Sequence, residues 1–264
     1  MNKRLTISIL CFFAFVFSTS AQTHGEELNF TVNYKYGLLN VKGGTANYQT
    51  KLSSYKQEPA LRTNLWFKST SFIDKMIKPM RDTLYSYSNI SDLTPLFHYR
   101  SIWEGDYSYQ EELFFKNHSN SNTKVQVKRW QKGNLRNDTI VGSNDAGYDF
   151  LNLFVHVRNL DYSLMKPNEN HTISAVMGRE VVAMNIRYIG KTSLNGNKGK
   201  KNNAIHYAID ITNKTFTESK NAIEIWISDD DNLIPLKVKA KLKIGAAEAV
   251  LSSYKNLKDE SCSY

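Results

Sequence analysis

Apolar and polar side chains alternate with a period of two along most of this chain. Leu28, Phe30, Val32, Tyr34 and Tyr36 interleave with Asn29, Thr31, Asn33 and Lys35, which predicts a strand with one dry face and one wet face. The pattern returns near the C-terminus, where Leu236, Val238, Ala240, Leu242 and Ile244 interleave with Lys237, Lys239, Lys241 and Lys243. Side chains alternate sides along a strand, so these four lysines share one face. Ile223, Ile225 and Ile227 repeat the pattern just upstream, and Asp229-Asp-Asp-Asn232 supplies the turn between the two runs. Further strands are predicted over 46–55, 61–70, 83–89, 95–103, 107–116, 123–131, 181–189, 204–212 and 246–255. Short turns between consecutive strands make them antiparallel neighbours. So many strands must curl, close or split into two layers, because a wide open sheet has costly edges.

Helical spacing is confined to two places. Phe72, Ile73, Met76 and Ile77 stop before Pro79, and Phe150, Leu151, Phe154 and Val157 form the second set. Asp145 or Asp149 is placed to cap the second helix, and Arg158 falls in its last turn. The expected fold class is all-β: a large curved antiparallel sheet, half-barrel or barrel-like sandwich, with one or two short helices. Residues 132–146 read as a polar connection able to divide the strands into two sheets, and 195–203 as a hairpin tip.

The first residues break the pattern. Lys3 and Arg4 precede an apolar run over residues 5–17, and Ser18-Thr-Ser-Ala21 follows with small side chains. This is the layout of a secretory signal peptide cleaved after Ala21. The run is shorter than the roughly 20 residues that span a bilayer. Residues 22–264 are then one exported all-β domain, with the periplasm as its expected compartment. Cys11 sits inside the apolar run and lacks the preceding small residues that lipidation needs, so the chain is not read as a lipoprotein. Cys262 alone remains after processing and has no internal partner. No later stretch has 18 consecutive apolar residues, so no transmembrane segment is expected.

Composition adds little chemistry. The 264 residues are 41% hydrophobic and 22% charged, with 34 Lys+Arg against 25 Asp+Glu and a formal charge of +9. This excludes disorder and fibrous repeats. Export argues against a nucleic-acid partner, and no aromatic stacking motif stands among the strands. His24, His98, His118, His156, His171 and His206 include no pair within four residues, so no local metal site or cofactor is expected. Gly190-Lys-Thr192 lacks the earlier glycine of a phosphate loop, position 185 being Asn185. Glu104, Asp106, Glu111 and Glu112 lie beside Trp103 and Tyr107. Such a cluster suits a glycan hydrolase using Glu104 and Asp106, or simply a solvated turn. The row Lys237, Lys239, Lys241 and Lys243 is either a strand's wet face or a contact for an anionic envelope surface. Asp82-Thr83-Leu84 and Asp138-Thr139-Ile140 fit an Asp-Thr-aliphatic O-glycosylation pattern at Thr83 and Thr139.

Several stretches in a fixed order carry a family resemblance. They are Glu27–Gly37 followed by Gly43-Gly-Thr-Ala46, Ser71–Met80 leading into Arg81-Asp-Thr, Leu93-Thr-Pro95-Leu-Phe97, Tyr148–Leu160, and Ala222-Ile-Glu-Ile-Trp226-Ile-Ser-Asp-Asp-Asp-Asn-Leu-Ile-Pro235. In this order the chain resembles the exported bacterial proteins of domain of unknown function 3108, from about Glu27 to Leu257. Asn152-Leu153 departs from the small residues more usual there. The family brings no activity and no catalytic residues. Its closing Trp-strand, acidic turn and Pro-strand are also similar to the end of lipoprotein-carrier half-barrels, which implies an apolar cavity under a helix lid. The leading expectation is a non-enzymatic cell-envelope protein that holds a lipid, acyl chain or lipoprotein in an apolar groove, with Phe30, Phe150, Phe154 and Trp226 as wall residues. The alternative is a structural or assembly partner in outer-membrane or surface-polysaccharide biogenesis, acting through the lysine row.

Overall fold

A computed structural model describes residues 25–119, 122–143, 147–196, 200–212, 219–242, 245–260 and 264. The signal-peptide reading of residues 1–21 and its Cys11, together with His24, Asp145, Lys243 and Cys262, lies outside the described residues. From β1 (Glu27–Tyr36) the chain meanders outward through β2 (Leu39–Tyr55), β3 (Glu58–Ser69), the short helix α1 (Ser71–Met76), β4 (Met80–Asn89), β5 (Pro95–Glu104), β6 (Tyr107–Ser119), β7 (Asn122–Gln131) and β8 (Asn134–Ser143). It crosses over through β9 (Gly147–Tyr148) and helix α2 (Phe150–Arg158). It then returns through β10 (Asn170–Met177), β11 (Glu180–Asn195), β12 (Lys201–Thr212), β13 (Ser219–Ser228), β14 (Pro235–Lys241) and β15 (Ala246–Lys255). β15 pairs antiparallel with β1, so the described strands form one 15-stranded sheet with β8 and β9 at its edges. Among the described strands only the β9–β10 pair is parallel.

The sheet curls until its two ends meet through side chains. Val176 of β10 packs with Leu113, Val125 and Val127 of β6 and β7, and the Gly147 N–H donates to Thr123 Oγ1 at 3.0 Å. Bulges such as those at Val32/Asn33 and Tyr188/Gly190 supply the bending. At Gly44 an added Cβ would lie 2.5 Å from the Lys68 carbonyl oxygen, so β3 approaches β2 where only glycine fits. On the face away from α2, aromatic rings pair across strands, with Tyr85 stacked on Tyr99 at 4.9 Å and Arg62 over Tyr85 at 4.5 Å.

The antiparallel, curved, all-β architecture agrees with the alternating sequence. Two strands do not follow the expected division. The stretch 132–146 is not a plain connection but contains β8, so the sheet is continuous rather than split. Leu135 and Ile140 are exposed there, and an edge strand with little buried surface shows no alternation. β10 was not anticipated either. Ile173 and Ala175 face the α2 core while Val176 faces β6 and β7, so both its faces are buried.

Candidate functional site

α2 lies on the concave side of the sheet. Its sequence, Phe150-Leu-Asn-Leu-Phe-Val-His-Val-Arg158, is apolar nearly all round, as suits a helix surrounded by protein. Leu153 and Val157 pack against Ile186, Tyr207, Ile209, Ile225 and Ile227. This is the largest core cluster among the described residues, and it fixes one flank of the helix.

Polar anchors hold both ends. At the N-terminus Asp149 is the cap: its Oδ1 accepts from the backbone N–H groups of Leu151 at 2.9 Å and Asn152 at 3.1 Å. It also accepts from Ser86 Oγ at 2.7 Å and lies 3.2 Å from His98 Nδ1. Burial opposes its charge, but His98, the Asn152 N–H and Ser86 hold its carboxyl below the usual range. Ser88 Oγ donates to Asn152 Oδ1 at 2.5 Å, tying the helix to β4 a second time. Ser86, His98 and Asp149 are residue types of a hydrolytic triad, but here Ser86 and Asp149 both meet the same ring nitrogen, Nδ1. A relay needs the two on opposite nitrogens, so this cluster serves as an anchor.

At the C-terminus Arg158 and Glu26 form a fully buried bidentate pair, Nη1–Oε1 2.5 Å and Nη2–Oε2 3.0 Å. Arg158 Nε donates to the Leu233 carbonyl at 2.7 Å and Nη2 to the Asn232 carbonyl at 3.1 Å. Burial disfavours the guanidinium charge, but the Glu26 carboxylate more than offsets this and the pKa of Arg158 is raised. Burial raises the Tyr48 phenol despite its hydrogen bond to Arg158.

The free flank of α2 leaves a cavity of about 170 Å³. Phe150, Leu151 and Phe154 form its helix wall, and Phe30, Ala46, Tyr48 and Leu65 its wall from β1 to β3. Pro235, Val238 and Ala249 close it from β14 and β15. Three of the four anticipated wall residues thus meet in one apolar pocket, while Trp226 does not. Trp226 pairs in register with Lys237, on the sheet face opposite Ile225 and Ile227, and stacks on His206 at 4.4 Å. The period of two held this information: a side chain between two core isoleucines points outward.

Phe150 also borders a second, polar chamber of about 400 Å³, with His98, Arg100, Tyr109, Glu111 and Arg129 in its walls. Burial pushes the Asp82 carboxyl beside Arg100 up to about 6, although Arg100 acts in the other direction. Asp82 Oδ1 and Arg100 Nε have no hydrogen-bond partner among the described residues. Arg129 Nε donates to the Tyr109 hydroxyl at 2.6 Å, and that hydroxyl donates to Glu111 Oε2 at 2.5 Å. Sequence reasoning groups Glu104, Tyr107 and Glu111 of its lining, but not Arg100, Arg129 or His98, which come from other positions on separate strands.

Of the remaining anticipated residues, Glu104 is in the lining of this chamber and the others sit apart. Glu104 pairs with Lys78 at 2.7 Å, and Asp106 lies in the β5–β6 turn. Lys237 pairs with Glu248 at 2.9 Å and lies over Trp226, Lys239 meets Glu224 at 3.3 Å, and Lys241 donates to the Lys220 carbonyl at 2.5 Å. The expected row of like charge is therefore a mixed ladder, because β13 and β15 each place a glutamate opposite a lysine. His156 and His171, far apart in sequence, face each other with Nε2 atoms 3.0 Å apart. Burial, then His171, lowers His156 to about 4, and burial lowers His171. The described residues contain no group of three or more His, Cys, Asp or Glu able to hold a metal ion. No helix among them is long and apolar enough to cross a membrane.

The family model described as protein of unknown function, DUF3108, matches residues 29–252. No curated protein matches the chain. Among solved structures, a β-barrel-like protein of domain of unknown function DUF1849 from Brucella abortus is similar, with a TM-score of 0.58 and 8% sequence identity. The match covers 90% of this chain and 99% of that one, and at this identity it speaks for the fold alone.

Proposed function

Since the chain belongs to the DUF3108 family, whose description names no activity, we propose from its own cavities that it is a non-catalytic protein of the cell envelope that binds an amphiphile. A lipid, an acyl chain or the lipid of a lipoprotein would place an apolar segment between α2 and the sheet. The observation that carries this reading is the apolar pocket walled by Phe30, Phe150 and Phe154. At about 170 Å³ it lies below the roughly 300–1,000 Å³ of whole small-molecule sites. It suits an apolar segment rather than a complete lipid. The polar end would lie in the adjoining chamber, beside Arg100 and Arg129, with Phe150 between the two. The basic, apolar and small-residue order of residues 1–21 supports export to the periplasm.

The test begins with protein purified without detergent and extracted into organic solvent for mass spectrometry. A co-purifying lipid, or binding of an apolar fluorescent probe, is the expected result. Ala46→Leu with Ala249→Leu fills the pocket from two sides and should abolish binding without loss of thermal stability. A clean extract together with no probe binding would refute the proposal.

A further inference from the structure

The strand directions put one set of connections at a single end of the curled sheet. These are the β1–β2 turn, the α1 segment between β3 and β4, and the β5–β6, β7–β8, β10–β11 and β14–β15 turns. Contacts knit three of them together. The Thr70 N–H donates to the Gly43 carbonyl at 2.9 Å, Thr70 Oγ1 to the Lys42 carbonyl at 3.2 Å, and the Gly105 N–H to the Pro79 carbonyl at 3.0 Å.

This end carries most of the exposed large apolar side chains among the described residues. α1 shows this most clearly. Of the apolar residues with helical spacing there, only Ile73 is buried, while Met76 is 69% exposed, Ile77 67% and Phe72 58%. Beside it, Leu38 at the β1–β2 turn is fully exposed and Leu39 half so. Leu242, at the β14–β15 turn, adds to the patch. Apolar exposure gathered at one end in this way points to a docking surface.

Charge identifies the partner. Lys42, Lys68, Lys75, Lys132 and Lys241 are exposed at this end. Of its carboxylates, Asp74, Glu104 and Glu248 are engaged by Arg81, Lys78 and Lys35 respectively, while Asp106 and Glu180 are exposed among the lysines. The opposite end mixes Asp92, Asp161, Glu169, Asp229, Asp230 and Asp231 with Lys56, Lys166, Lys200, Lys201, Lys255 and Lys258. The α1 end thus combines exposed apolar side chains with an excess of lysines, whereas the opposite end carries both signs of charge. Apolar tips ringed by lysines match the headgroup layer of an anionic bilayer, where the tips enter the acyl boundary and the ammonium groups meet phosphates. An acidic protein partner would satisfy the charge, but protruding single side chains on separate turns make no groove for one.

We propose that the α1 end of the sheet docks on an anionic lipid bilayer, with Leu38, Phe72, Met76 and Ile77 entering the interface. The polar chamber beside α2 opens toward this same end, through Tyr107, Gly178 and Arg179, but the docking does not depend on any occupant of the cavities.

Flotation of the full chain through a density gradient tests the proposal. Vesicles are made of phosphatidylcholine alone or with an equal part of phosphatidylglycerol. The chain should float with the anionic vesicles and much less with the neutral ones, and added NaCl should reduce binding. The triple variant Leu38→Ser, Phe72→Ser, Met76→Ser should lower the partition coefficient at least about tenfold. The control Ile90→Ser, Leu164→Ser, which removes exposed apolar groups from the opposite end, should leave it unchanged. All variants share residues 1–24, so the comparison reads the tips alone. No flotation of the parent, binding indifferent to lipid charge and salt, or a triple variant that floats like the parent would each overturn the proposal.

Discussion

Replacing Glu26 with Gln tests the anchoring of α2 most directly. The Arg158–Glu26 pair has side chains 1% exposed on both partners and joins residues 132 positions apart. Gln keeps the shape and part of the hydrogen bonding but leaves the Arg158 charge buried without a counter-ion. Breaking one side of such a pair costs about 3–5 kcal/mol. The carbonyls of Leu233 and Asn232 still accept from the guanidinium, so the lower half of that range is expected. For a chain of about this size each kcal/mol moves the melting temperature by about 2–4 °C, which gives a fall of roughly 6–15 °C. Urea unfolding followed by circular dichroism measures this, and an unchanged slope would confirm that only stability has altered. The double variant Glu26→Leu with Arg158→Met should recover much of the loss, since an apolar pair of similar volume removes the buried charge altogether. A Glu26→Gln loss below about 1 kcal/mol would mean that water reaches the pair, and the account of α2 as an element pinned at its C-terminus would be wrong.

Other expectations follow from the same geometry. Asp149→Ala removes the cap of α2 together with the bonds to Ser86 and His98, and should cost about 2–4 kcal/mol in denaturant unfolding. Gly44→Ala forces a methyl group against the Lys68 carbonyl and should cost more than about 2 kcal/mol by the same assay. Because His156 is lowered to about 4, the unfolded chain takes up that proton first. Stability should therefore fall as pH drops from about 6.5 to about 4, by up to about 3 kcal/mol, and His156→Gln should flatten this step in a pH series of melting curves. Asp82 has the opposite sign: raised to about 6, it favours the native state below about pH 4 and loses that contribution as pH rises through 6. Asp82→Asn should stabilise the protein at pH 7 by about 1–2 kcal/mol, after discounting for its partial exposure, and should give nothing at pH 4.

The β architecture was legible wherever a strand buries one face and wets the other. β1 alternates because its inner side chains Leu28 and Phe30 meet Tyr48 while its outer ones meet water. The signal fails at both extremes of burial. β8 has an exposed flank, and β10 is enclosed on two sides, so neither shows a period of two. Spacing alone also could not tell which way the α1 stripe faces. Its apolar residues are real, but the sheet offers it no cover beyond Ile73.

Part of the site was legible for the same reason. Phe30 lies on an alternating strand and Phe150 and Phe154 on a helix with apolar spacing, so periodicity alone turns them inward. Contacts between distant segments were not legible. Arg158 looked like a basic residue in a helix's last turn, whereas its main partner, Glu26, precedes β1 and reaches it only because the chain's last strand returns beside its first. That closure has a consequence for the apolar pocket. Asp149 and Asn152 hold one end of α2 to β4 and β5, and Arg158 holds the other to residues 26, 232 and 233. A helix bonded at both termini does not swing as a lid. The cavity beside it is preformed, and Phe150 stands in both its wall and that of the polar chamber.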